Sequence, residues 1–543
     1  MKFNCLMKLD VSRIAPVICL VVLLLSSSTN VSADEGVENH KGIPLGDISH
    51  FVDQQTSDDR IISDFTIRRE ERSVVFDVST KKNTDGTPWV VLWNVSADEF
   101  EKAQTKYAAE FFQMSLHRTI GSGRRQRHSA IWIQHTDAGD DLVIADGDLP
   151  KSAAAGELPQ PLTEMLEQLL TEHNIPGVTV AVGHQGQMLC ECGIGYAELD
   201  PTVSMNPDSS QRIASLSKPI TAVAILILVQ EGKLELDQSA LSLLKSHPDQ
   251  YDVEQALASD SKWNDVTIRH LLRHSGGWDR DKSRDTMFQL RAIAESQKLK
   301  SPPKIADVLR YQLTQSFDFE PGTQYAYSNV GYCLLGRIIE VVTGQPYEEF
   351  VRHRILTPAG MKHTQLGRTR LTDRAEGEVR YYTQKMRRSP AFWSILSGKE
   401  SSEIELVPAP YGVWDLEIMD AHGGWISTAG DLVRFSQAID RADAPLLTPE
   451  SRQLIVEKPS CTPAEESYWY GLGWNVRPSG QGFNQWHTGA LAGTSTLLVR
   501  RADGYSWAVL FNADRASNGK RCTELVDSLM HQAVNRSFER GRE

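Results

Sequence analysis

Ser215-Leu216-Ser217-Lys218 puts a hydroxyl and an amine three residues apart at the head of a long apolar run that reaches about Gln230. On a helix, residues three apart share a face, so this run brings the two groups together. A neutral serine hydroxyl is a poor nucleophile without a neighbouring base. A lysine surrounded by apolar helix has its ammonium disfavoured, and its pKa falls until the amine can take the serine proton. Ser215 also lies at the helix N-terminus, where free backbone N–H groups and the dipole favour negative charge. Pro219 is tolerated there because first-turn N–H groups lack an intrahelical acceptor. Taken alone, S-x-x-K is a common pattern that an ordinary helix start explains equally well.

Two further clusters change that reading. Tyr327-Ser328-Asn329 follows a Pro321-Gly322 turn and precedes an apolar helix, Val330 to Val342. Its phenol can relay protons if a nearby ammonium lowers its pKa. Its amide can accept from Lys218 and donate to a substrate carbonyl; the bland alternative is a turn tyrosine with a capping asparagine. His487-Thr488-Gly489 stands just before a terminal strand pair. Glycine there lets backbone approach a bound acyl group closely. The N–H of Ala490 can join that of Ser215 in an oxyanion hole. A lone strand histidine is otherwise a structural residue.

These clusters need elements to hold them. Residues 177–198 read as two strands around a turn at Gln185-Gly186, an antiparallel hairpin. The C-terminal part mirrors it: Ser495 to Arg500, a turn at Asp503-Gly504, Ser506 to Asn512, then an amphipathic helix from Cys522 to Val534. Hairpins at both ends with helices between predict an α/β (α+β) domain: an antiparallel sheet flanked by helices, with a helical subdomain in the middle.

In this order the three clusters resemble the serine β-lactamase and penicillin-binding-protein superfamily, and within it the class C β-lactamases, D-aminopeptidases and β-lactamase-like esterases. Flanking stretches carry the same resemblance, among them "RIASLSKPITAVAILILVQEGKLELD", "FEPGTQYAYSNVGYCLLGRIIEVVTGQPY" and "GGWISTAGDLVRF", over roughly residues 160 to 535. The resemblance implies Ser215 as nucleophile, Lys218 as its base partner and Tyr327 as second acid/base. It makes Asn329 a positioning amide and puts His487, Thr488, Gly489 and Ala490 on the strand facing the acyl group. It further implies attack on an ester or amide, an acyl-enzyme, and hydrolysis by water. Lactamases usually carry Lys-Thr-Gly where this chain has His487-Thr488-Gly489. Lysine suits a substrate carboxylate, whereas histidine near pH 7 is mostly neutral. The departure favours esterase- and aminopeptidase-like chemistry and predicts weak β-lactam turnover at most.

The whole chain sets the frame. Its 543 residues, 40% apolar and 23% charged, suit a large globular protein of one or two domains. A net charge of −13 argues against a nucleic-acid partner, and the basic run Arg124 to Arg127 reads as a solvated turn. Residues 1–33 look like a signal peptide: Lys2, Lys8 and Arg13, an apolar core from Ile14 to Leu25, then Val31-Ser32-Ala33 before a cut at Asp34. That core is too short for a stable membrane span, so a periplasmic or extracellular location is expected. Removing it leaves Cys190, Cys192, Cys333, Cys461 and Cys522, of which Cys461 and Cys522 form a conceivable disulfide.

Residues 34–150 predict a small α+β accessory module. Its strands are Val74–Val78, Trp89–Trp93 and Ser129–Gln134. A Ser96–Glu99 capping box opens a helix whose apolar stripe is Phe100, Ala103, Tyr107, Phe111 and Met114. The module resembles, in one copy, a small repeat found ahead of some β-lactamase-like hydrolases such as fungal polyglycine hydrolases. Residues 151–157 read as a linker and 158–543 as the hydrolase domain. His270 and His274 stand four apart but lack a zincin glutamate, and no G-x-S-x-G, P-loop or G-x-G-x-x-G occurs; neither nucleotide, cofactor nor metal is expected. The expected substrate is a small molecule or short peptide. Alternatives are a D-amino-acid peptidase or penicillin-binding protein acting on cell-wall peptides, and a non-catalytic binding or scaffold member.

Overall fold

The structure is a computed structural model that describes residues 30–31, 37–58, 60–70, 73–83, 89–109, 113–133, 155–247, 251, 253–383, 388–394 and 405–538. Most of the expected leader and linker, together with Gln134 and Phe111, lies outside the described residues. Contacts divide the chain into two units, Met1–Gly139 and Asp140–Glu543.

The first unit holds a four-stranded sheet, in the order Asn30–Val31, Glu38–Pro44, Ser73–Lys82, Arg60–Glu70, and a three-stranded sheet, Trp89–Val95, Arg127–Ile133, Gln113–Ile120. Alternate apolar residues give the larger sheet one buried face. There Phe65 and Phe76 meet the edge of Trp93 at 4.9 and 4.8 Å. The capping box forms as expected: Glu99 accepts from the Ser96 N–H at 2.8 Å and Ser96 Oγ accepts from the Glu99 N–H at 3.3 Å. The helix it opens ends at Ala109. Met114 is therefore not on the helical stripe; it lies on a strand and is 42% exposed. The apolar spacing continued past the helix by coincidence, because Gln113–Ile120 reads equally well with a period of two.

In the second unit nine strands form one antiparallel sheet. Its order is Thr202–Ser204, Gln187–Leu199, Gly177–His184, Tyr505–Phe511, Thr494–Arg500, Gly482–Leu491, Asn475–Ser479, Trp469–Tyr470, with Ala155–Gly156 added beside Gln187–Leu199. Residues 155–156, expected in the linker, thus already belong to this sheet. Both hairpins turn where the sequence predicts, with Gln185 and Gly186 at positive φ (49° and 85°). Alternation splits the core in two. Val178, Val180, Val182, Trp507 and Val509 face one cluster, which includes residues of the helices Gln160–His173 and Cys522–Phe538. Ala181, Leu498, Ala508 and Leu510 face the other, which contains Ser217–Gln230 and the helical subdomain. Every residue of that helix from Ser217 to Leu228 is buried, as an all-round apolar helix must be. All five described cysteines are free, so Cys461 and Cys522 do not pair: Cys522 is buried where the last helix starts, while Cys461 stands near Arg273.

Candidate active site

Ser215 sits in a short 3-10 turn, Ala214–Leu216, which runs directly into the helix Ser217–Gln230. The turn is held from below by the neighbouring strands. Thr494 and Thr496 donate through their hydroxyls to the carbonyls of Arg212 and Ile213 at 2.9 and 3.0 Å. Ala214 has φ = 49°, a left-handed conformation costing a non-glycine residue about 1–2 kcal/mol. Gly489 makes room for it. A Cβ there would fall 2.2 Å from the Ile213 carbonyl oxygen and 2.3 Å from Thr496 Oγ1. The small residue expected near the acyl group therefore lets the strand Gly482–Leu491 lie against the nucleophile's own turn.

Around Ser215 Oγ the bonds are few and directed. Lys218 Nζ lies 3.1 Å from it, 2.7 Å from Asn329 Oδ1 and 2.8 Å from the His422 carbonyl oxygen. Tyr327 donates its hydroxyl to Ser215 Oγ at 2.9 Å. Lys218 is fully buried, and burial holds its pKa well below the usual lysine range; the Asp285 carboxylate opposes this and the Arg280 charge reinforces it. A neutral amine has two N–H bonds and one lone pair. Two carbonyl acceptors take the N–H bonds, which leaves the lone pair for the Ser215 proton. Burial pushes the Tyr327 phenol above its ordinary value, partly offset by its bond to Ser215. This corrects the expectation that an ammonium would lower it: in this setting Tyr327 stays protonated, a proton donor at rest.

Asn329 opens the helix Asn329–Thr343, but its neighbour Ser328 is the cap, accepting from the Gly331 N–H at 3.3 Å. The amide is thereby free for other work. It donates from Nδ2 to Asp285 Oδ2 at 2.6 Å rather than into an open cleft, and this fixes Oδ1 toward Lys218. Asp285 is half-buried. Burial raises its pKa, while the Met287 N–H, Asn329, Lys218 and Arg280 favour its charged form. Sequence reasoning missed it. A lone aspartate in a long insertion carries no spacing signal, and its link to Asn329 exists only in the fold.

His487 is turned into the protein, 2% exposed. Its Nδ1 lies 2.7 Å from the Thr488 carbonyl oxygen and its Nε2 2.9 Å from Tyr470 Oη. A carbonyl only accepts, so the ring proton is assigned to Nδ1, and Nε2 accepts from the tyrosine. Burial, with Lys218 nearby, lowers this histidine to about 3. His487 is thus a neutral prop behind the site, not a side chain presented to substrate. Thr488 is exposed and Ala490 half-buried on the same strand. Pairing with Asn475–Ser479 stops at Trp486, so residues 488–491 have no strand partner on that edge among the described residues. His270 and His274 diverge. His270 caps its own helix, whereas His274 Nδ1 accepts from the Ser328 N–H at 3.1 Å and its ring lies 4.1 Å from that of Tyr327, pinning the Tyr327–Asn329 loop. Among the described residues no group of three His, Cys, Asp or Glu side chains is placed to hold a metal ion.

Comparisons with known proteins place the chain in a family. Residues 162–529 match the Beta-lactamase family. The chain is 30% identical over 378 residues to penicillin-binding protein 4* of Bacillus subtilis (strain 168), covering 69% of this chain and 75% of that one. It is 29% identical over 210 residues to protein flp of Staphylococcus aureus (strain MW2), covering 39% of each. Its fold is similar to the crystal structure of D-amino acid amidase from Ochrobactrum anthropi SV3, with a TM-score of 0.52 and 24% identity over 70% of this chain and 100% of that one. With more than half of its length matched, and with Lys218 and Tyr327 meeting the Ser215 hydroxyl while Asn329 holds Lys218, the chain belongs to the beta-lactamase family of serine hydrolases.

Proposed function

We propose that this protein is an exported hydrolase that cleaves small esters, amides or short peptides through an acyl-enzyme on Ser215. The observation that carries this reading is the position of Ser215 Oγ, between Lys218 Nζ at 3.1 Å and Tyr327 Oη at 2.9 Å. Lys218 takes the Ser215 proton as Oγ attacks the carbonyl carbon. The N–H groups of Ser215 and Ala490 receive the oxyanion. Tyr327 gives its proton to the departing alcohol or amine, and the C–O or C–N bond breaks. Lys218 returns a proton to Tyr327, and water then releases the acid by the same steps in reverse. Lys218 and Tyr327 work as one coupled pair.

A fluorophosphonate probe with intact-mass readout tests the reading. A single adduct is expected on the wild type and none on Ser215→Ala; no adduct on either supports a scaffold role instead. Nitrocefin turnover should be slow, because the neutral His487 offers no cation to a β-lactam carboxylate; rapid turnover contradicts this. The likeness to penicillin-binding protein 4* favours cell-wall peptides as a second reading. Turnover of D-Ala-containing peptides in place of p-nitrophenyl esters would establish it, whereas a penicillin adduct that never hydrolyses would point to a sensor-like binder. Export rests on the leader-like residues 1–33. Mass spectrometry of the protein released by expressing cells should find Asp34 at the N-terminus. Among the described residues no helix is long and apolar enough to cross a membrane.

A further inference from the structure

Arg280 is an exposed arginine whose guanidinium carbon lies 4.7 Å from the centroid of the Tyr327 ring. Tyr327 is the residue whose hydroxyl touches Ser215. The guanidinium therefore stands one aromatic ring away from the proposed nucleophile. Among the described residues no carboxylate lies within ion-pair distance of it; the adjacent Asp279 instead faces Lys282 Nζ at 3.4 Å and accepts from the Asp281 N–H at 3.0 Å. Stacking on the tyrosine fixes a planar fork of donors that a lysine cannot reproduce, and such a fork matches a carboxylate in bidentate fashion. The other two basic groups of the site are unsuited to that task. Lys218 is fully buried among acceptors, and His487 has both ring nitrogens occupied. Arg521 lies close enough to feel Arg280: burial, Arg515 and Arg280 hold its guanidinium below its usual range, while the Asp514 and Glu524 carboxylates oppose this. Tyr325 and Tyr468, each 51% exposed, give the same neighbourhood apolar surface.

We propose that Arg280 forms an anion-recognition subsite, and that the preferred substrates carry a carboxylate a short arm away from the scissile ester or amide. This rests on the hydrolase reading above and names its substrate class.

The test uses paired substrates that differ only in charge. One pair is the mono-p-nitrophenyl ester of glutarate against the same ester with its free carboxyl capped as an amide. The other is a depsipeptide with a free terminal carboxylate against its amide-capped form, so that both sides of the scissile bond are sampled. In at least one pair the wild-type protein should favour the anionic member in kcat/KM by about tenfold or more, the range of one charge-assisted hydrogen bond. Arg280→Gln should lower that ratio about tenfold, Arg280→Lys should keep part of it, and added salt should reduce it in the wild type. Equal rates within both pairs for the wild type would overturn the proposal. So would an Arg280→Gln protein that loses activity on charged and capped members alike, since that marks Arg280 as a support for Tyr327 only. Absence of any turnover together with absence of a Ser215 adduct defeats the hydrolase reading itself, a result distinguishable from both.

Discussion

At the scale of single residues, the account turns on the protonation of two side chains. Lys218 must be neutral and Tyr327 must be protonated, and burial drives both in those directions. The kcat/KM profile should therefore rise with pH through one acid limb set by Lys218, well below the usual lysine range, and then stay level into mildly alkaline solution. His487, at about 3, contributes no limb near 6.5, so His487→Gln should leave the limb's position where it is. Lys218→Met should cost about 10²–10⁴-fold in turnover, the usual worth of a positioned base. Asp285 supplies a sharper test. It orients the Asn329 amide and, as a negative charge, favours the protonated form of Lys218. Asp285→Asn removes that charge, so the acid limb should move to lower pH even as kcat falls through misorientation of the amide. A limb that stays put or moves up contradicts this link.

At the scale of elements, the strand Gly482–Leu491 and the Ala214–Leu216 turn are pressed together at a position only glycine fits. Gly489→Ala should destabilise the protein by about 1–3 kcal/mol, the usual cost of overpacking, and depress acylation of Ser215 further, because the clash falls on the backbone one residue before Ala214. Thermal melting and fluorophosphonate labelling rates measure the two effects. This is also the scale at which the sequence was most legible. Gln185-Gly186 announces a hairpin because a two-residue turn demands positive φ at both places, Gly504 marks the longer turn after Arg500 with its own positive φ, and Ser215, Lys218, Tyr327 and Asn329 sit on or beside helix starts whose apolar runs are plain. Met114 was misread because apolar residues at helical spacing ran on into a strand. Asp285 and Arg280 were illegible for a different reason: their contacts with Asn329 and Tyr327 join residues more than forty positions apart, and neither carries a local pattern.

At the scale of the molecule, three buried neutral histidines, His274, His422 and His487, surround the site, each with its pKa lowered chiefly by burial. In the unfolded chain these groups titrate near 6.5. Between that value and the folded one, the unfolded state binds more protons, so stability must fall as pH drops below about 6.5. Each such histidine withdraws up to about 1.4 kcal/mol per pH unit in that window. The melting temperature should decline steadily from pH 7 toward pH 4, and His487→Gln should decline less steeply. A melting temperature flat across that range would contradict the burial of these rings.

The central claim is that Ser215 carries the acyl group during turnover. Acid-quenching the protein during hydrolysis of a p-nitrophenyl ester, then weighing its proteolytic peptides, tests it most directly. The account predicts the acyl mass on the peptide containing Ser215, absent from Ser215→Ala and much reduced in Lys218→Met. Nitrophenol release that proceeds undiminished in Ser215→Ala, or an acyl group found on another residue, would contradict it.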